Sequence, residues 1–178
     1  MARGNVVLEN LAERHPGLTP EVASFYCQAA SVCLSRHHAP PSDLAINWGE
    51  AESVRGVDWA VPDPRAIRAW ANDIDATEMG AYGVSLTVVE VERGLVAIAR
   101  AETLTGADYY VGPVGWDDSD LEGSFRLEVS GTDLGSIATI AQRLKGKVDQ
   151  AARGHSDLPA IAAVVGFKER IVAVADVT

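Results

Sequence analysis

The sequence predicts a mixed α/β (α+β) fold, with a mixed central sheet flanked by helices. Three observations predict it. Residues 20–36 and 64–92 repeat apolar side chains at helical spacing. Apolar, β-branched runs follow position 94 and are separated by turn residues. A third helical stretch, 133–153, divides those runs, so the order after residue 62 is helix, three strands, helix, two strands. Residues 1–62 read as an N-terminal extension of helices and a β-hairpin, residues 63–178 as the core, and the two together as one compact unit.

With 178 residues the chain can bury a core of ordinary size, and 47% hydrophobic with 22% charged residues fits a globular protein. No run approaches the ~18 apolar residues of a membrane span. The first 15 residues carry acids and lack a long apolar stretch, so a secretory signal is not expected. Cys27 and Cys33 fall on different sides of one helix, which argues against a mutual disulfide or a zinc site. Two free thiols suit a reducing cytoplasm. The net charge is −10, and residues 61–132 hold 13 acidic against 5 basic side chains. A free-standing nucleic-acid binder usually has a basic excess. The acidic bias therefore marks either a metal-binding centre or a protein partner, a second copy included.

Taken in order, residues 5–15 predict a short helix stopped by His15-Pro16-Gly17. Thr19-Pro20-Glu21 starts the next helix with a capping hydroxyl and a first-turn proline. His37-His38 ends it, and adjacent histidines without further ligands read as a solvated helix end rather than a metal site. Leu44, Ile46 and Trp48 alternate with polar or small residues, as do Val57, Trp59 and Val61; with GEAESVRG as the turn they predict a hairpin whose tryptophans pack in the core.

Asp63-Pro64 opens a second helix. Its stripe is Ile67, Ile74, Ala81 and Val88 in one column and Trp70, Thr77, Val84 and Val91 in the other. The phase holds to about Glu92, so one long helix, or two joined at a kink, is expected. The rival for residues 85–91 is a strand, given their β-branched content. Gly80 and Gly83 weaken a helix by about 1 kcal/mol each relative to Ala and make sense where another backbone packs closely. Glu78 flanks the stripe, either salt-bridged to an arginine or aimed into a site.

LVAIARA (95–101), ADYYVGP (107–113) and SFRLEVSG (124–131) predict three strands in an antiparallel meander, with an acidic loop before the third. Thr132-Asp133 would cap the following helix, with Ile137, Ile140, Ala141, Leu144 and Val148 buried and Gln142, Lys145, Lys147 and Gln150 off that stripe. Residues 160–167 and 170–177 read as buried strands. His155 is a lone loop residue.

Side chains alternate across a strand, so paired second and third strands would place Asp108 and Glu128 side by side on one face. Two close carboxylates need an intervening positive charge. A lysine, Arg126 or a hard cation such as Mg²⁺ would serve. Plain ion pairing of Glu128 with Arg126, Arg100 or Lys145, and a turn-capping Asp108, are the structural alternatives. Phosphate loops, nucleophile elbows, CxxC and HExxH are all absent.

A helix with Glu78, a strand, a strand with Asp108, a strand with Glu128, a helix and a strand resembles the αβββαβ core of the PD-(D/E)xK, or restriction-endonuclease-like, nucleases. The resemblance covers residues 64–178. It implies Mg²⁺ or Mn²⁺ held by Asp108 and Glu128, with Glu78 assisting the metal or the water. It implies hydrolysis of nucleic-acid phosphodiesters. Ser130 stands where the family has its lysine, and Gly106-Ala107 where it has a proline. In some members the lysine moves to the next helix, which points to Lys145, with Lys147 and Gln142 as alternatives. The string TGADYY…RLEVSG also resembles bacterial proteins without an assigned activity. A non-catalytic interaction or scaffold subunit on the same fold, in a bacterial defence or conflict assembly, is the second expectation; an unrelated α/β binding protein is the third.

Overall fold

In a computed structural model, which describes residues 4–116, 121–154 and 156–178, the described residues form a mixed α/β structure with one eight-stranded sheet and five helices. His155 and part of the acidic loop, residues 117–120, lie outside the described residues. The elements are β1 (Val6–Val7), α1 (Leu11–Arg14), α2 (Pro20–Ser35), β2 (Ser42–Trp48), β3 (Ala51–Asp58), α3 (Pro64–Ala69), α4 (Asp73–Arg93), β4 (Leu95–Arg100), β5 (Tyr109–Pro113), β6 (Phe125–Thr132), α5 (Ile137–Ala152), β7 (Ala160–Gly166) and β8 (Ile171–Val177). Strand order across the sheet is β1-β3-β2-β8-β7-β6-β5-β4.

The expected meander is present: β4–β5 and β5–β6 pair antiparallel. α5 then crosses over and returns the chain as β7, parallel to β6. β8 runs antiparallel to β7, and β2 joins β8 in parallel. The N-terminal strands therefore extend the same sheet. Its two faces are covered differently. Leu127, Val129, Ile161, Ala163 and Val165 meet α2 and α4 in the main core, while Ala160 and Ala162 meet Ala151, Leu144 and Val148 of α5. This follows from strand alternation.

Local chemistry sets the helix starts. Thr19 Oγ1 accepts from Val22 N at 3.3 Å, and Asp63 Oδ1 from Ala66 N at 2.7 Å. The stretch 64–92 is two helices, because Asn72 Oδ1 accepts from both Ile74 N and Asp75 N and caps a new one. The break resets the helical phase. Ile67 and Ile74, expected in the buried column, are 51% and 77% exposed, whereas Ala81, Val84 and Val88 are buried. Residues 85–91 are helix: the 3.6-residue period outweighs their β-branched content once α4 lies buried against the sheet.

Several expectations are corrected. Val6 and Val7 form a strand paired with Val57 and Asp58, which leaves a helix only at 11–14. The hairpin turn is Gly49-Glu50, with Gly49 at φ +59°, and residues 51–58 are strand. Trp48 and Trp59 are buried as expected, but Val61 is exposed. His37 and His38 are not a solvated helix end: their Nε2 atoms lie 2.7 Å from Asp133 Oδ1 and 2.9 Å from Phe167 O. Asp133 is thereby committed to His37 and Arg36, and Ser136 caps α5 instead, its Oγ accepting from Thr139 N. Starting α5 there turns Ile137 and Ala141 outward, and the stripe facing the sheet runs through Ile140, Leu144 and Ala151.

His15-Pro16-Gly17 does more than stop a helix. Ala97 N donates to His15 Nδ1 (2.9 Å), and Gly17 N donates to Ala97 O (2.8 Å). The loop thus covers edge strand β4 beside its irregularity between Ala97 and Ala99. With Nδ1 accepting, the ring proton sits on Nε2 and reaches Glu90 Oε2 at 3.1 Å.

The close approach anticipated at Gly80 and Gly83 is that of α4 to α2. A Cβ at Gly80 would lie 3.0 Å from the Ala30 backbone; one at Gly83 would lie 3.2 Å from Tyr26 O. Gly146, on α5, faces open space. The same substitution therefore has opposite effects. Gly80→Ala destabilises by about 1–3 kcal/mol through overpacking. Gly146→Ala stabilises by about 0.5–1 kcal/mol through helix propensity. Urea unfolding of both variants against wild type checks the pair.

Candidate functional site

β6 carries Arg126 and Glu128 on its α5 face and Leu127 and Val129 on the opposite one. Tyr109 pairs with Leu127, so Asp108, one residue before β5, stands across from Glu128. Because Asp108 precedes the strand, the ladder does not dictate where its side chain goes. Its Oδ2 accepts from Val129 N at 2.8 Å, its Oδ1 from Tyr82 OH of α4 at 2.9 Å. Arg100 Nη2 lies 3.8 Å from Oδ1. Glu128 turns to the other layer, where Lys147 Nζ of α5 meets Oε1 at 2.7 Å. The two carboxylates are held from opposite layers, yet both line one polar cleft of about 560 Å³ beneath the β4–β5 loop.

Glu128 is almost fully buried, and burial pushes its carboxyl above the usual glutamate range; the Lys147 hydrogen bond pulls it back, and the charge of Asp108 raises it further. Its Oε2 has no hydrogen-bond partner among the described residues. Tyr82 packs against Tyr26 and Tyr109, whose hydroxyls meet at 2.6 Å, and the Arg100 guanidinium lies over the Tyr82 and Tyr109 rings. Burial raises the Tyr82 phenol pKa, so it stays a neutral donor to Asp108.

A second cleft, of about 420 Å³, lies between α4 and α5. Glu78, Ser130, Arg143 and Lys147 line it. Glu78 is exposed and makes no ion pair among the described residues. The contacts Tyr82–Asp108 and Lys147–Glu128 each join a residue of one cleft to a residue of the other. Lys145 lines neither cleft and points to solvent from α5. The lysine that reaches Glu128 is Lys147, which lies seven residues from Ile140 and four from Ala151, on the stripe that faces the sheet. Anchoring the stripe on Ile137 and Ala141 placed Lys147 off it.

Arg126 is buried and meets no carboxylate among the described residues. It donates to the Leu158, Thr105 and Ala151 carbonyls, which ties the β4–β5 loop to the C-terminal end of α5. Tyr82 and Arg100 were not foreseen. Tyr82 is four residues beyond Glu78 on α4, a spacing that puts both on one helix face. Among the described residues no three His, Cys, Asp or Glu side chains converge as a metal-ligand set, and Cys27 and Cys33 are free thiols. No helix of the described residues is long and apolar enough to cross a membrane.

Compared with protein families, curated proteins and solved structures, the chain matches none.

The Lys147–Glu128 pair has a measurable consequence. A glutamate with a raised folded-state pKa contributes most below the ordinary glutamate value, and stability falls as pH rises through the raised value. Lys147→Met leaves Glu128 buried without its cation and costs about 2 kcal/mol at pH 7. That loss fades as pH falls through the raised value and the carboxyl takes up a proton. Glu128→Gln in the Lys147→Met background restores most of it. Urea unfolding of wild type, Lys147→Met, Glu128→Gln and the double variant at pH 7 and pH 4 reads the cycle.

Proposed function

We propose that the chain is a metal-dependent, nuclease-like phosphodiesterase of the restriction-endonuclease-like type, acting on nucleic acid in a bacterial cytoplasm. One observation carries the reading: Asp108 stands opposite Glu128 at the head of a β-meander, with Lys147 2.7 Å from the glutamate and both acids on one cleft. The order α4-β4-β5-β6-α5-β7, with β7 parallel to β6, agrees with the αβββαβ arrangement.

Asp108 and Glu128 are hard oxygen donors, and among the described residues one Glu128 oxygen has no hydrogen bond, so the residues suit Mg²⁺ or Mn²⁺ completed by water and substrate phosphate. The ion would offset phosphate charge and lower the pKa of a bound water. The other roles belong to this chain's side chains. Tyr82 OH and Val129 N–H orient Asp108. Lys147 offsets the charge of Glu128 and takes the place of Lys145 as the lysine that would handle the attacking water. Arg100 and Arg153 bring positive charge to the first cleft and Arg143 to the second, suited to phosphate oxygens. Glu78 and Ser130 supply acceptors for water in the second cleft.

A second reading, a catalytically inactive subunit of a multiprotein bacterial defence assembly, draws on a specific observation. Both Asp108 oxygens are already engaged, and Lys147 already neutralises Glu128.

Cleavage of single- and double-stranded DNA and of RNA in Mg²⁺ or Mn²⁺ separates the two. Asp108→Asn and Glu128→Gln are expected to lower the rate at least about 100-fold, a loss of about 2.7 kcal/mol of barrier stabilisation. Lys145→Met stays within about twofold and Lys147→Met does not. Equal residual cleavage in wild type and all variants would point to a contaminant and to the inactive subunit.

A further inference from the structure

A second surface, sharing no lining residue with the two clefts of the site, is built from α1, α2, α3 and residues 60–63. A cleft of about 550 Å³ opens there, with an apolar floor that includes Ala12, Ala23, Val61 and Ala66. A smaller one of about 320 Å³ lies beside Phe25 and Trp70. Gln28 lines both, so they adjoin. Phe25 is 51% exposed although its ring sits 4.5 Å from Trp70; Val22, one helical turn earlier on α2, and Val61, on the larger cleft, are exposed as well. Large apolar side chains grouped this way on two neighbouring clefts mark an interaction surface.

The charged side chains that line them are of one sign. Glu9, Glu13 and Asp63 line the larger cleft and Asp75 the smaller, and among the described residues no lysine or arginine lines either. The Glu9 and Glu13 side chains have no hydrogen bond or ion pair among the described residues. Two copies of this face brought together by a twofold axis would set carboxylates against carboxylates. We propose that this face docks a basic amphipathic segment of a partner protein, whose apolar side chains fill the two clefts while its lysines or arginines face Glu9, Glu13, Asp63 and Asp75. The assignment stands apart from phosphodiester hydrolysis and survives if that activity is absent.

The probe is a fluorescein-labelled synthetic amphipathic peptide of leucine and lysine at helical spacing, with a leucine–glutamate peptide of the same pattern as control. Fluorescence anisotropy with the full chain is expected to show saturable binding of the first only. Glu9→Lys with Glu13→Lys weakens it at least tenfold. So does Ser24→Trp, which fills the larger cleft from an exposed position. Glu50→Lys with Glu52→Lys, on the β2–β3 hairpin outside both clefts, changes it less than twofold. Circular dichroism shows whether each variant is folded, and Phe25→Ser replaces any that is not. Equal weakening by the hairpin variant would reduce the effect to net charge and overturn the proposal, as would full binding by folded Ser24→Trp. Self-association abolished by Phe25→Ser, without peptide binding, would give the face to a second copy and overturn it too.

Discussion

Two glycines let α4 lie backbone to backbone on α2, and the candidate site hangs from that approach. Gly83 faces Tyr26 O, so Tyr26 is brought to the Tyr82 and Tyr109 rings. Its hydroxyl fixes Tyr109, the first residue of β5, directly after Asp108. Tyr82, one residue from Gly83, then meets Asp108. A bulkier residue at position 80 or 83 would move α4 away, and the shift would pass through packed rings to the carboxylate. Close packing transmits such displacements because an interior of this density has little slack.

The charged residues on and beside β6 are satisfied in three different ways, and the differences matter for chemistry. Arg126 donates to three carbonyls and acts as a structural tie. Asp108 is held by a neutral phenol and a backbone amide, which orient it without neutralising it. Glu128 has the closer ion pair, 2.7 Å to Lys147 against 3.8 Å from Asp108 to Arg100, and among the described residues one of its oxygens has no hydrogen bond. A buried carboxylate matched by one flexible lysine costs desolvation that a purely structural core would avoid. Arg100 adds a second positive charge from β4, partly spread over the two tyrosine faces.

Much of the fold was legible in local chemistry. Thr19, Asp63 and Gly49 each announce a helix start or a turn through a side-chain acceptor or a positive φ, and each does so in the structure. The meander and the crossover follow from short connections and a long amphipathic stretch. The misreadings share a cause. Thr132-Asp133 looks like a helix cap, but Asp133 is spent on Arg36 and His37, residues nearly a hundred positions away. Asn72 caps a new helix and breaks a stripe whose apolar spacing runs on across it. Val6 and Val7 leave a helical pattern because a strand edge at Val57 was open to them. In each case a long-range partner outbids a local preference.

At the site the division is similar. That Asp108 and Glu128 could meet was legible in the sequence through the two-residue alternation of neighbouring strands, and the register that sets them opposite each other came from the sheet. Which lysine meets Glu128 was not legible. Lys145 and Lys147 differ by two positions, hence by about 200° around a helix, and only the seating of α5 on β6 and β7 decides which one points inward. Nor was it local that Asp108 would be held from the α4 layer and Glu128 from the α5 layer. A residue just outside a strand is free of the ladder, and the orientation of its side chain is set by whatever tertiary packing brings within hydrogen-bond reach.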